Sequence, residues 1–331
     1  MSKAVNLPFE VPVFATSQTI AAACISMTGH PTAFNQVLHQ TSNIFCTTKF
    51  LKGFTTPSVT IPYSRMEYFS FIERYPMSFR FTKKDCIDTI KQMLDEGFYI
   101  YFDGLDDFYL PNKSWYGTRH MHHDGIICGY DEADETLSIA AHDINWIFRL
   151  IRIPIVCFKT AIDEAMTGYP NASYTAYRVK ENTVVDFNEQ EVLKNLKIYM
   201  DSDFDRYPVE TAPNACGTVV HDYIAMYLDK LLDGSIPYEK MDWRALRPVW
   251  EHKKCMLVRI RTVEKKLGWG SSLSEAYTPI VDKANRIRMA YAMYHRKRRD
   301  SMLEDVRNDL LDVGKLDRQL VGEFIDKLET V

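Results

Sequence analysis

The sequence predicts an α+β protein in which helices and antiparallel strands mix in the first part and helix dominates the second. Two observations carry this. The segment 116–143, YGTRHMHHDGIICGYDEADETLSIAAHD, reads as two strands joined by a tight turn, with GIICGY at 125–130 and TLSIAA at 136–141 on either side of DEAD at 131–134. Beyond residue 187 the hydrophobic pattern changes to long stretches at helical spacing. A doubly wound sheet would alternate strand and helix throughout, and this chain does not.

In chain order, residues 17–30 (SQTIAAACISMTGH) predict a helix favoured by Ala21 to Ala23 and stopped by Gly29 and Pro31. Residues 44–81 are rich in Phe, Thr, Tyr and Ile with prolines at 57, 62 and 76, which predicts short strands and loops. Lys83 to Gly97 predicts an amphipathic helix with Ile87, Ile90 and Leu94 on one face and Gly97 as its cap. Phe98 to Asp103 (FYIYFD) follows as a strand. After the central hairpin, 147–160 and 173–187 are expected to be extended, the latter as strand, turn, strand. Helices are expected at 189–201, 219–233, 243–267, 275–312 and near 315–330. The expected division is 1–187 and 188–331.

Of 331 residues, 46% are hydrophobic and 25% charged, the balance of a globular protein. A net charge of −4 gives no bulk reason to expect nucleic acid as a partner. No apolar run approaches the roughly 20 residues that span a bilayer. Pro8, Glu10 and Pro12 interrupt the region where a signal peptide would need an apolar core. The seven cysteines are odd in number and irregularly spaced, which argues against a disulfide framework and for a cytoplasmic protein with reduced thiols.

Four of the nine histidines, His120, His122, His123 and His142, fall in 116–143. His123 stands at the mouth of one predicted strand and Asp143 at the end of its partner. Together they have the form of a base and the acid that orients it, the supporting half of a nucleophilic triad. Cys24 is the candidate nucleophile, about a hundred residues upstream, with Gln18 six residues before it as a candidate oxyanion donor. The order helix, then strands carrying a histidine and an acid, is that of a papain-like arrangement. Cys46 and Ser17 are alternative nucleophiles, and Cys24 also fits a small core residue of an Ala-rich helix. Cys86, Cys128, Cys157 and Cys255 sit in apolar periodic surroundings that predict core. His120, His122 and Asp124 match the H-x-H-x-D spelling of binuclear zinc hydrolases, but Gly125 stands where that pattern continues with histidine, so no metal is expected. No phosphate-binding or dinucleotide glycine motif occurs. His295 to Arg299 (HRKRR) is a basic cluster, read as a solvated face or as a dock for an acidic partner.

The run HHDGIICGYDEADETLSIA resembles the strand-turn-strand of the butirosin biosynthesis protein H family, papain-fold proteins of natural-product gene clusters. YTAYRVKENTVVDFNEQEVLKNLKIYMDS and DWRALRPVWEHKKCMLVRI resemble later parts of the same group, to whose broad type the closthioamide amide synthetase belongs. The resemblance implies a papain-like catalytic domain at 1–187 with a helical C-terminal region at 188–331. It implies an ATP-independent acyltransferase that takes an acyl group from a carrier-protein phosphopantetheine thioester and passes it to a small amine. Cys24 would be the nucleophile, His123 the base, Asp143 its orienter and Gln18 an oxyanion donor. An alternative alignment puts Thr16 or Ser17 at the nucleophile position. A peptidase or thioesterase of the same fold, or a non-catalytic scaffold, are the other readings.

Overall fold

A computed structural model describes residues 2–10, 32–40, 42–53, 56–61, 70–76, 85–168, 173–180, 182–202 and 214–331. Within them the chain is α+β, with an antiparallel sheet followed by a mostly helical C-terminal part. It divides into two compact units, the first of residues 1–34 and 64–185, the second of 35–63 and 186–331. Residues 35–63, placed by the sequence reading with the first region, thus belong with the helices.

The first unit is built on strands β1 (Ala4–Asn6), β4 (Ile72–Pro76), β5 (Tyr99–Asp106), β6 (His122–Asp131), β7 (Thr136–His142), β8 (Phe148–Pro154) and β9 (Ser173–Val179). They pair antiparallel in the order β4-β9-β5-β6-β7-β8, with β1 beside β6. Helices α2 (Cys86–Asp95) and α3 (Ile155–Gly168) pack on the sheet. Ile90, Met93 and Leu94 of α2 and Phe158, Ala161 and Ile162 of α3 share one core with Ile100, Phe102, Ile127, Ile139 and Ile153 of the strands. This follows from period-two alternation in the strands meeting period-3.6 stripes on the helices. Gly125 is required by close approach, because a Cβ there would lie 2.6 Å from the Phe102 ring. The expected strand at 147–160 is only half strand. After Pro154 the chain continues as α3, where Phe158, Ala161 and Ile162 repeat at helical spacing. Residues 183–187 form no strand.

The second unit holds α1 (Ala33–Gln40) from Asn35 onward, the small sheet β10-β2-β3 (Asn214–Cys216, Phe45–Thr47, Val59–Thr60) and five long helices. These are α4 (Glu189–Asp201), α5 (Val220–Leu232), α6 (Arg247–Leu267), α7 (Ser272–Lys297) and α8 (Asp300–Leu328). The long helix expected at 275–312 is broken at Arg298, which takes a left-handed conformation (φ 50°) and caps α7. Gly314 of α8 lets α5 come close, since a Cβ there would lie 2.9 Å from the His221 side chain.

The centre of this unit is charged. Asp317 of α8 accepts hydrogen bonds from the hydroxyls of Tyr199 (α4) and Tyr277 (α7), and Lys253 of α6 places Nζ 3.0 Å from its Oδ2. Lys253 and Asp317 are both completely buried. Burial alone would raise the Asp317 pKa, but Lys253 and the surrounding donors hold it below the usual carboxylate range. Burial drives His252 well below its ordinary pKa and His221 down to about 4, with the Lys253 charge adding to both.

Two outcomes follow for stability. Asp317→Asn leaves Lys253 as an uncompensated buried cation and should cost about 3–5 kcal/mol in urea unfolding followed by helix circular dichroism. The imidazoles titrate near 6.5 when unfolded and lower when folded, so unfolding takes up protons as pH falls. Stability of the helical unit should therefore decline from about pH 6.5 down toward about pH 4.

Candidate active site

β5 and β6 pair with a bulge between Phe102 and Leu105, where Gly104 adopts φ 94°. Beyond the bulge Leu105 stands opposite His123 and Asp106 opposite His122. The chain then turns through a short 3-10 helix, Asp107–Tyr109, which Asp106 caps by accepting the Phe108 N–H at 3.0 Å. This turn aims two successive carboxylates at two histidines. Asp106 Oδ2 lies 2.6 Å from His120 Nδ1, and Asp107 Oδ2 lies 2.7 Å from His123 Nδ1.

The second pair has the geometry of an oriented base. Asp107 is buried (side chain 2% exposed), while the His123 side chain is 29% exposed. A carboxylate here can only accept, so Nδ1 of His123 carries the proton and Nε2 is the basic nitrogen. The other oxygen of Asp107 lies 3.3 Å from Nζ of the buried Lys113. Asp107, Lys113, Ser114, His123, Asp124, His142 and Trp146 line a cavity of about 20 Å³, room for roughly one water. Burial, and then the neighbouring Asp103 charge, push the Asp124 carboxyl up to about 6 against the opposing pull of Lys113. Tyr101 reaches Asp124 with its hydroxyl at 3.5 Å.

Asp143 does not orient His123. It is completely buried, and Oδ1 accepts the backbone N–H groups of Asn145 (2.8 Å) and Ile147 (2.9 Å), while Oδ2 pairs with Arg149 Nε at 2.6 Å. These bonds close the loop between β7 and β8 and leave the carboxylate engaged with its own turn. The loop in turn holds Trp146 at φ 60°, a conformation that costs a bulky residue about 1–3 kcal/mol. The Trp146 ring stands edge-on to both His123 and Trp115, with centroids 6.2 Å apart in each case. Ser114 Oγ donates to the Asp143 carbonyl at 2.9 Å, which ties this loop to the one that carries Lys113. Asp143 therefore holds the turn that places Trp146 beside His123, and Asp107 is the carboxylate that orients the imidazole. The signal for Asp107 was present in FDGLDDFYL, since extending the predicted strand FYIYFD against the histidine strand brings those acids opposite it.

Cys24, Gln18, Thr16 and Ser17 lie outside the described residues. Among the described cysteines, burial pushes Cys46 and Cys128 up to about 12 and raises Cys86 and Cys255 as well. Cys46, the alternative thiol, is completely buried in β2, and its environment opposes thiolate formation. His120, His122 and Asp124 do not converge on a common point. His120 turns to Asp106 and stacks on Phe108 (centroids 4.4 Å), and Asp124 faces Tyr101. Among the described residues no group of three His, Cys, Asp or Glu side chains is placed to hold a metal ion, and no helix is long and apolar enough to cross a membrane.

No protein-family model matches the chain, and no curated protein matches it significantly.

Proton NMR separates the two aspartates. A downfield imidazole N–H resonance from His123 should vanish in Asp107→Asn and persist in Asp143→Ala, whereas tryptophan emission should change in Asp143→Ala and not in Asp107→Asn. For Asp124 the folded pKa of about 6 lies above the ordinary aspartate value of about 3.9, so its ionisation costs stability increasingly as pH rises from about 4 and fully above about 6. Asp124→Asn should accordingly raise the melting temperature of the first unit at about pH 8 and leave it unchanged near pH 4.

Proposed function

We propose that the chain is a papain-fold, cysteine-dependent acyltransferase that forms amides in natural-product biosynthesis, with His123 as base and Asp107 as the group that orients it. The observation that carries this reading is the His123–Asp107 pair, a half-exposed imidazole held by a buried carboxylate at the mouth of a strand in an antiparallel sheet. The resemblance of HHDGIICGYDEADETLSIA to the butirosin biosynthesis protein H family supplies the substrate class, an acyl thioester on a carrier protein's phosphopantetheine arm. Carrier protein and small amine are the proposed partners, and the thioester's own activation removes any need for ATP.

In this mechanism the Cys24 thiol gives its proton to Nε2 of His123, and the thiolate adds to the thioester carbonyl. Gln18 and a backbone N–H stabilise the oxyanion. The carbon–sulfur bond to phosphopantetheine then breaks, and the departing thiol takes the proton from the imidazolium. An amine attacks the acyl-enzyme and passes its proton to His123, the amide leaves, and Cys24 recovers a proton. Trp146 shields the His123–Asp107 pair from water, which strengthens their interaction and favours an amine over water as the second nucleophile.

Intact-protein mass after incubation with a simple acyl thioester tests this. Wild type should gain one acyl group, Cys24→Ala none, and His123→Ala should slow the gain at least about a hundredfold. Added amines should discharge the acyl group as amide. Release to water alone would make the enzyme a thioesterase or peptidase of the same fold, and a gain that survives in Cys24→Ala would move the nucleophile to Ser17. No gain with any of several thioesters would overturn the acyltransferase reading in favour of a scaffold.

A further inference from the structure

The C-terminal half of α7 has two faces. Ala284, Ile287, Tyr291 and Tyr294 are buried. At about 100° per residue, Arg286, Met289, Met293, Arg296 and Lys297 fall on one stripe away from them. All five are exposed, Met289 by 54% and Met293 by 42%. Arg298 then turns the chain into α8 and brings Arg299 to the same end. Tyr238 fixes this end, since His295 stacks on its ring (centroids 5.6 Å apart) and the Arg298 guanidinium lies 3.8 Å from the ring centroid.

The stripe gathers its charges closely. Several other cations of α7 and α8 meet acids: Arg307 pairs with Asp229, Arg318 with Asp222, and Lys283 with Asp309 and Asp312. Arg286, Arg296, Lys297 and Arg299 form no ion pair among the described residues, and within four residues of them along the chain the acids are Asp282 and Asp300. The chain as a whole is acidic, with a net charge of −4, so this is a local concentration of uncompensated positive charge. Solvation accounts for a basic face but gives no reason to set two neighbouring methionines at its centre. Methionine with arginine, apolar in the middle and charged at the rim, is the composition of a protein-docking patch. Nucleic acid would use the cations and leave the methionines without an apolar partner, and lying in an anionic membrane interface calls for a broader apolar face than two methionines.

We propose that this stripe docks an acidic helical face of the carrier protein, carboxylates meeting Arg286, Arg296, Lys297 and Arg299 while an apolar residue between them seats on Met289 and Met293. The identity of the partner as a carrier rests on the acyltransferase reading. Charges on the rim govern encounter rate and salt dependence, and the apolar centre governs residence time.

The test is binding of the full chain to a panel of phosphopantetheinylated acyl and peptidyl carrier proteins, alongside acylation by a small free thioester that needs no docking. The triple variant R286E/R296E/K297E should weaken carrier binding by about tenfold or more and flatten its salt dependence. Met289→Ser with Met293→Ser should speed dissociation and keep the salt dependence. Both variants should fold, by circular dichroism, and both should accept acyl groups from the free thioester at the wild-type rate. Carrier binding unchanged in the triple variant, or absent from wild type across the panel, overturns the proposal. So does variant-sensitive binding found only with DNA or with anionic phosphatidylserine vesicles. Failure of free-thioester acylation together with variant-sensitive carrier binding would sink the acyltransferase reading and leave the docking surface standing.

Discussion

The register of β5 against β6 is the constraint on which the candidate site depends. A strand pair fixes every side chain along it at once, because a slip of one residue turns each to the opposite face. Here the core side of the pair is set by Ile100, Phe102 and Ile127, which leave no freedom to slip. The bulge after Phe102 then changes the phase of β5, and the acids that follow meet the histidines of β6 instead of passing beside them. Hydrophobic burial thus specifies a polar contact. The 2.7 Å hydrogen bond between Asp107 and His123 is a consequence of packing on the helix-covered side of the sheet.

The helical unit solves a different problem with the same economy of means. Long helices with apolar stripes pack in many rotations, and burial alone does not select among them. Asp317 selects, because its two oxygens accept from Tyr199, Tyr277 and Lys253 on three other helices, and all of these groups are buried. A rotation of any one helix strands a charge or a hydroxyl in an apolar interior, at a cost that a misplaced leucine does not incur. His221 and His252 complete the arrangement as neutral groups bonded to the carbonyls of Thr218 and Ser42.

How much of this was legible in the sequence depended on whether the signal was local. The helix at 189–201 was read to the residue, since Asn188 caps it through the Glu191 N–H and its apolar spacing is regular. The strands of the central hairpin were read within a few residues for the same reason. The segment after Pro154 was misread as extended because Ile155, Val156, Cys157 and Phe158 form a β-like run, and only packing of Phe158 against Phe102 shows which period the core uses. At the site, His123 was found because it opens a strand. Asp143 was given the orienting role because it closes the neighbouring strand, and sequence does not reveal that Oδ1 is taken by its own turn and Oδ2 by Arg149. Asp107 was missed because the predicted strand stops at Asp103, and the bulge after Phe102 hides which of the acids beyond it meets His123. The Asp317 network was equally invisible, its partners being scattered from residue 199 to residue 317.

The described cysteines differ little in what their surroundings allow a thiol to do. A thiol serves as nucleophile only as thiolate, and thiolate needs either solvent, a cation or a hydrogen-bond donor. Cys46, Cys128 and Cys255 are buried where desolvation opposes that charge, and Cys128 spends its sulfur on the Ile126 carbonyl. Among the described residues, no cysteine lines the cavity at His123. An imidazole held by a buried carboxylate, with a tryptophan forced into left-handed backbone beside it, is costly to build and serves no packing need that a leucine could not meet. Such an arrangement fixes the tautomer and leaves Nε2 as the ring nitrogen free of Asp107. Of the six described cysteines, five are buried and Cys157 is half-buried against the core of the first unit.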